Sequence, residues 1–226
     1  MKEKTGVMTE QTASGDYHRY IFRDGRLLGQ FERMYRESRT VPWKQDETAD
    51  AWWIDVAVRV LQLRAPYGHA LEVGCGLGYF TDKVAPLCRD IIGADVSATA
   101  VQKARAQFPH LAFRVLDIRK PARALVPFDL VIAKDIVWYV YPRLTAVMEN
   151  LRALTAPGGW LFVFQCFPNL ARPFIGKRVV PNPERLIESL GESFSLEYSA
   201  QCQQHGRARE GPMFMALLRK SRGRRP

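Results

Sequence analysis

Leu71-Glu72-Val73-Gly74-Cys75-Gly76-Leu77-Gly78-Tyr79-Phe80 joins a short apolar run, Ala70 to Val73, to a stretch of helical spacing that begins at Tyr79. Glycines at alternate positions let the backbone turn sharply and let a ligand come close. The helix N-terminus beyond them offers free N–H groups and a partial positive charge. A glycine motif alone is a weak signal; its place between a strand and a helix gives it meaning. The stretch predicts an α/β fold whose ligand site opens at the end of the first strand.

Downstream, strands and helices alternate. Strands are expected at Ile91 to Val96, Leu111 to Leu116, Phe128 to Ala133 and Trp160 to Phe167, with helices at Tyr79 to Leu87, Thr99 to Phe108 and Arg143 to Leu154. Pro157-Gly158-Gly159 ends the last of these. Continuous apolar strands separated by helices imply a parallel sheet covered on both faces. After a Pro- and Arg-rich loop, a helix from Glu184 to Leu190 precedes two strands, Ser195 to Gln203 and Met213 to Leu218, joined without a helix, as an antiparallel pair would be. The expected fold is a Rossmann-like, seven-stranded, mostly parallel sheet with helices on both faces and an antiparallel edge strand.

Upstream, Met1 to Asp16 reads as disordered, and Leu28, Phe31, Met34 and Tyr35 recur at helical spacing. A helix is expected from about Thr48 to Leu63, capped by Asp46 or Thr48, with Trp52, Val56, Val60 and Leu63 lining one face. The chain thus divides into an N-terminal extension, 1–42, partly disordered with a short helix and a candidate lid, and a ligand-binding domain, 43–226.

The 226 residues suffice for one domain with a full core. A hydrophobic fraction of 47% and a charged fraction of 25% are those of a globular protein. No apolar run is long enough to span a membrane, and the first residues lack the apolar stretch of a signal peptide, so a cytoplasmic location is expected. The net charge of +10 invites an anionic partner. The charge is scattered, however, apart from a tail at Arg219, Lys220, Arg222, Arg224 and Arg225, so a nucleic-acid partner is disfavoured. Cys75, Cys88, Cys166 and Cys202 form no CxxC pair, and neither a disulfide framework nor a metal site is expected.

The spacing of the glycine loop is GxGxG rather than the GxGxxG of dinucleotide sites, and Glu72 precedes it. A carboxylate there would repel a pyrophosphate but suits the ammonium of an amino-acid end. The ligand expected is S-adenosyl-L-methionine, with S-adenosyl-L-homocysteine as product. Asp95, at the end of the second strand, is placed to accept hydrogen bonds from ribose hydroxyls. Asp117 follows the third strand, with Ile118 next to it. Three acids at three successive strand ends face one sheet edge. Glu72, Gly74, Cys75, Gly76, Gly78, Asp95, Val96, Asp117, Ile118 and Lys134 are therefore the candidate cofactor-binding residues, with Trp43, and Glu47 beside it, closing from the N-terminal side.

From Trp43 to Leu218 the chain resembles the class I methyltransferases. It is most similar to the rhizobial nodulation methyltransferases, which N-methylate the free amine of a chitooligosaccharide. The similar stretches are Leu71 to Cys75 running on to Phe80-Thr81-Asp82-Lys83-Val84-Ala85-Pro86, Phe128-Asp129-Leu130-Val131, Ala156-Pro157-Gly158-Gly159, Gln201-Cys202-Gln203 and Pro42-Trp43. The resemblance implies that Asp117 meets the adenine amino group while Ile118 packs on the ring. It also implies methyl transfer to an amine of a small molecule, an amino sugar or related saccharide or natural product.

The acceptor is expected after the fourth strand, where Asp135 is the candidate acid–base group, with an N-cap as the alternative role. Tyr139 and Trp138 are candidate walls for a ring, or core; Tyr141 is a weaker candidate, and His205 lies in a late loop with Arg207 and Arg209. Asp135 and Tyr139 are the two named as catalytic. O-methylation of a sugar or phenolic metabolite stays open. Lys134-Asp135-Ile136-Val137 lacks the Asn/Asp-Pro-Pro-Tyr pattern of base-amine methylation, which leaves other RNA targets as a lesser alternative. A monomer or homodimer is expected.

Overall fold

The computed structural model describes residues 17–122, 125–203 and 210–222. The described chain begins with helix α1 (His18–Ile21), a two-residue hairpin of β1 (Phe22–Arg23) and β2 (Arg26–Leu27), and helix α2 (Phe31–Glu37). A 3-10 turn at Pro42–Lys44 leads into α3 (Gln45–Thr48) and α4 (Trp52–Gln62). The alternating part follows: β3 (Tyr67–Val73), α5 (Tyr79–Val84), β4 (Cys88–Asp95), α6 (Ala98–Gln107), β5 (Ala112–Val115), β6 (Phe128–Lys134), α7 (Val137–Val140), α8 (Leu144–Leu154) and β7 (Thr155–Pro168). It closes with α9 (Pro183–Glu188), β8 (Phe194–Cys202) and β9 (Glu210–Lys220).

The seven long strands form one sheet in the order β5-β4-β3-β6-β7-β9-β8. The five from β5 to β7 run parallel, and β9 pairs antiparallel with both β7 and β8. This is the seven-stranded, mostly parallel architecture expected from the alternation, except that the antiparallel strand, β9, lies between β7 and the edge strand β8 and not at the edge itself. The two cores show why the strands read as continuous apolar runs. Val131 and Ala133, with Leu161 and Val163, face the core under α8. Their neighbours Leu130 and Ile132, with Phe162 and Phe164, face the core under α4 and α5. A strand buried on both faces has no polar position to alternate with.

The helix expected from Thr48 to Leu63 is in fact two. α3 ends at Thr48, α4 starts at Trp52, and the N-cap residue Ala51 contributes no side-chain hydrogen bond. Asp46 and Thr48 serve α3 instead, through Glu47 N–H to Asp46 Oδ1 and the Thr48 hydroxyl to the Lys44 carbonyl. The buried face is Ile54, Ala57, Val60 and Leu61, whereas Trp52 and Leu63 are exposed at the helix ends. Large apolar residues at helix termini overhang the sheet, while a small Ala57 sits fully buried on it. The helix expected from Arg143 is preceded by α7 and a 3-10 turn over Tyr141–Arg143. No described helix is long and apolar enough to cross a membrane, and Cys75, Cys88, Cys166 and Cys202 form no disulfide.

A third cluster joins the N-terminal segment to the sheet. Tyr17, Tyr20, Ile21, Met34 and Tyr35 pack on Leu77 of the glycine loop and Ala100 of α6. The Glu32 carboxylate of α2 reinforces it, accepting from the hydroxyls of Ser97 and Thr99 and from the Thr99 N–H at the start of α6. Those hydrogen bonds, first Thr99 and then Ser97, outweigh burial and hold Glu32 at a pKa of about 2. A negative charge at a helix N-terminus is favoured by the helix dipole as well.

Phe162 is fully buried at the centre of the sheet. Phe162→Ala is expected to lower unfolding free energy by about 3–5 kcal/mol, read from the midpoint of urea denaturation.

Candidate active site

The strand order reverses at β3: the chain goes out through β4 and β5 on one side, then returns to β6 on the other. In open parallel sheets the crevice at such a reversal, beyond the carboxyl ends of the strands, is where ligands bind. The glycine loop starts there. Gly74 and Cys75 both donate their N–H to the Ala94 carbonyl of β4, at 2.7 and 3.0 Å, which folds the loop back over the strand ends. Gly74, at φ +75°, has no room for a Cβ, which would lie 2.4 Å from Ile136 Cγ2. At Gly76, φ +56°, a Cβ would meet Gln45 and the Tyr35 hydroxyl. The constraint there comes from the N-terminal segment, whose Gln45 Oε1 accepts the Leu77 N–H at 2.9 Å.

The three strand-end acids differ in environment. Glu72 is buried and accepts a hydrogen bond from Thr81 of α5. Desolvation pushes its pKa up to about 7, against the pull of Thr81 and Lys134. Asp95 is also buried and accepts the N–H of Gly76 at 3.0 Å and of Ser97 at 2.9 Å; desolvation raises it despite those bonds. At Asp117 desolvation is overcome by Arg119, which lowers the pKa through two side-chain hydrogen bonds, of 2.7 and 3.0 Å, a backbone N–H and its charge. Cys75 is an inert thiol: burial, with Glu72 and Asp95 close by, pushes its pKa well up.

Across the crevice, β6 ends in Lys134 and Asp135. The Lys134 ammonium lies over the rings of Phe80 and Phe164 and 3.1 Å from Asp135 Oδ2. Burial works against its charge, but Asp135, Cys166 and Glu72 prevail and keep it cationic. Asp135 has φ +52°, a left-handed backbone. Its Oδ1 accepts the Cys166 N–H at 2.7 Å. Its expected alternative role as a helix cap is not what the structure has, since α7 has no side-chain cap. The fully buried Gln165 bridges the same corner, accepting the Val137 N–H at 3.0 Å and donating to the Cys166 carbonyl. Tyr139 is ringed by Trp43, Phe31 and Phe22, at 5.4, 5.6 and 6.0 Å between ring centres. Desolvation and Asp135 raise its pKa, so it is a neutral phenol rather than a base. Trp138 donates its indole N–H to the Cys166 carbonyl at 2.8 Å and packs against Phe167 and Phe174.

One cavity of about 560 Å³ connects these groups. It is lined by Trp43, Glu72, Gly74, Cys75, Asp95, Val96, Asp117, Ile118, Lys134, Asp135 and Tyr139, each expected from sequence. Gly76 and Gly78 shape the loop but do not line it. Glu47 points away, paired with the exposed Lys44, and Gln45 takes the place expected of it. Tyr141 lies outside the lining, and His205, Arg207 and Arg209 fall outside the described residues. Sequence reasoning missed Tyr35, Gln45, Trp53, Arg119 and Gln165, which also line the cavity. Only the apolar spacing around Tyr35 hinted at any of them.

Sheet order, glycine loop and strand-end acids give the chain the class I methyltransferase fold. Comparison with known proteins agrees: residues 71–161 match a family model described as a methyltransferase domain. Among individual relatives the chain resembles nodulation protein S. That of Sinorhizobium fredii (strain NBRC 101917 / NGR234) is 30% identical over 126 residues, 52% of this chain and 57% of that protein. A trans-aconitate 2-methyltransferase of Methylobacterium radiotolerans is 36% identical over 106 residues, 46% of this chain and 40% of the other. The chain spans about half the length of the nodulation proteins it matches. The crystal structure of the N-methyltransferase NodS from Bradyrhizobium japonicum WM9, in complex with S-adenosyl-L-homocysteine, superposes with a TM-score of 0.68. The two are 22% identical over 90% of this chain and 96% of that one, a likeness of fold.

Glu72 gives the site a pH signature. Its folded-state pKa of about 7 exceeds the ordinary 4.5, so the folded protein holds this proton more tightly than the unfolded chain. The stability this confers is complete below pH ~4.5 and is lost as pH rises to ~7, by up to about 3 kcal/mol. Glu72→Gln removes this titration. The difference between wild-type and variant urea midpoints, followed across that window, should change by an amount of that order; a difference independent of pH would show that Glu72 titrates normally.

Proposed function

We propose that the protein transfers a methyl group from S-adenosyl-L-methionine to an amine of a small molecule in the cytoplasm. The observation that carries this reading is the single cavity that joins the glycine-loop acids to Asp135. Its volume is in the range of small-molecule sites, roughly 300–1,000 Å³.

The lining fits the cofactor. Asp95 offers a carboxylate to the ribose hydroxyls, and Val96, Leu116 and Ile118 offer apolar surface to the adenine beside Asp117. Gly74 and Cys75 offer backbone, and Glu72 a carboxyl group, to the amino-acid end. A pyrophosphate would face these acids and suits the site poorly. When bound, the cofactor supplies a methyl group on a positively charged sulfur, which keeps the bonding electrons as the acceptor nitrogen attacks.

The protein's part is to align the acceptor, exclude water and receive a proton. Asp135 has the position for it. Three partners hold its carboxylate, Lys134, the Cys166 N–H and more distantly Gln165, and an ionised carboxylate has about four lone-pair sites in all, leaving capacity for one acceptor N–H. It holds the amine and takes the proton released as the nitrogen is methylated. Tyr139, as a neutral phenol, walls the chamber. The segment 17–42 packs over the glycine loop and acts as a lid against water, with Trp43 and Tyr35 at its inner edge. Likeness to NodS, whose structure is named as that of an N-methyltransferase, supports nitrogen over oxygen; an amino sugar or related saccharide is within the acceptor class that the sequence resemblance implies.

Two experiments test this. Calorimetric titration with S-adenosyl-L-homocysteine should show saturable binding, weakened about 10- to 100-fold by Asp95→Ala, as expected for loss of charge-assisted hydrogen bonds. Methyl-labelled cofactor incubated with amines, phenols, sugars and RNA should place label on an amine. Asp135→Asn, whose side chain tolerates the left-handed backbone, should lower kcat/KM about 10²- to 10⁴-fold and leave homocysteine-product binding intact. Label on phenols or RNA, with amines unlabelled, would refute the amine reading.

A further inference from the structure

We propose, on the basis of the methyl-transfer reading above, that the acceptor is an amine carried on a flat, apolar, aromatic body and not on a saccharide. The distinction rests on how the polar groups of the acceptor side are already used. Beyond the cofactor residues the cavity is walled by Phe31, Trp53, Ile54, Trp138, Phe167 and Met213. Aromatic walls would stack on a sugar face or on an aromatic ring alike. What separates the two is the hydroxyl groups of a sugar, each of which must exchange its hydrogen bonds to water for bonds to protein.

Few such bonds are on offer among the described residues. The Trp138 indole N–H is spent on the Cys166 carbonyl at 2.8 Å. Gln165 uses its oxygen on the Val137 N–H and its nitrogen on the Cys166 carbonyl and on Asp135 Oδ1. Gln45 accepts the Leu77 N–H, and the Thr48 hydroxyl donates to the Lys44 carbonyl at 2.9 Å. Trp43 hydrogen-bonds the Tyr139 phenol, and Lys134 is paired with Asp135 at 3.1 Å. On the acceptor side the spare capacity is the Asp135 carboxylate and the O–H of Tyr139, while the Gln45 amide nitrogen and the Tyr35 hydroxyl stand beside Gly76 on the glycine-loop side; the rest of the wall is apolar. Such a chamber recognises one amine and one hydrophobic surface. The amine N–H meets Asp135, its nitrogen lone pair forms the new bond to carbon, and the released proton goes to Asp135; the ring lies between Trp53 and the Trp138–Phe167 side.

The test uses the full chain with methyl-labelled S-adenosyl-L-methionine and four amines, phenethylamine, tryptamine, glucosamine and the disaccharide of glucosamine, beside simple phenols as a fifth arm. The aryl amines are expected to exceed both sugars in kcat/KM by about tenfold or more. Trp53→Ala should raise KM for tryptamine and shrink that ratio, while the Kd for S-adenosyl-L-homocysteine, measured by calorimetry, shows that the variant is folded and its cofactor half intact. Equal or better turnover of the sugars by the wild type would overturn the proposal and leave the amine reading standing. Turnover of phenols with all four amines unlabelled would overturn both.

Discussion

A single carbonyl oxygen organises this domain. Ala94, one residue before the end of β4, receives the N–H groups of both Gly74 and Cys75 and so bends the chain leaving β3 back across the neighbouring strand. Without that bend Glu72 and Asp95 would stand at the ends of two separate strands. With it they lie on one chamber, and the Gly76 N–H reaches the Asp95 carboxylate. The glycines follow from this geometry, because only a residue without a Cβ passes Ile136 on one side and Gln45 on the other.

The far wall of the chamber is built on a different principle. Asp135 takes a backbone conformation that ordinary residues avoid, at some energetic cost. The cost is offset by long-range bonds to the neighbouring strand β7: its own N–H to the Phe164 carbonyl and the Cys166 N–H to its carboxylate. The carboxylate is held through both oxygens, by Lys134 and by the Cys166 N–H, so its position is set by the fold itself.

What was legible in the sequence follows from the range of the interactions concerned. The strands of the parallel sheet were visible because burial on both faces leaves an unbroken apolar run, as in Phe128–Lys134. The glycine loop and the acids Glu72, Asp95 and Asp117 were visible because they stand at fixed offsets from strand ends. The face of α4 was only partly legible: Val60 is buried as the spacing implied, but the line through Trp52, Val56 and Leu63 runs beside the face that packs, Ile54, Ala57 and Leu61, because several faces of this helix carry apolar residues and spacing alone does not choose among them. Gln45 and Gln165 could not be found at all. Each earns its role through a partner about thirty residues away, Leu77 and Val137, and no local spacing encodes that.

The N-terminal segment is fastened to the domain by specific polar ties, not by apolar packing alone. Glu32 holds the first turn of α6, and Gln45 holds the glycine loop. These ties have a consequence for diversification of the fold. A segment packed over the glycine loop is a natural piece to exchange between relatives, yet here it cannot travel by itself. A grafted segment without Glu32 would strand the hydroxyls of Ser97 and Thr99, and one without Gln45 would leave the Leu77 amide bare beneath it. Recombination that moves this segment must therefore bring the starts of α5 and α6 along with it, which ties the inheritance of the N-terminal segment to that of the glycine loop.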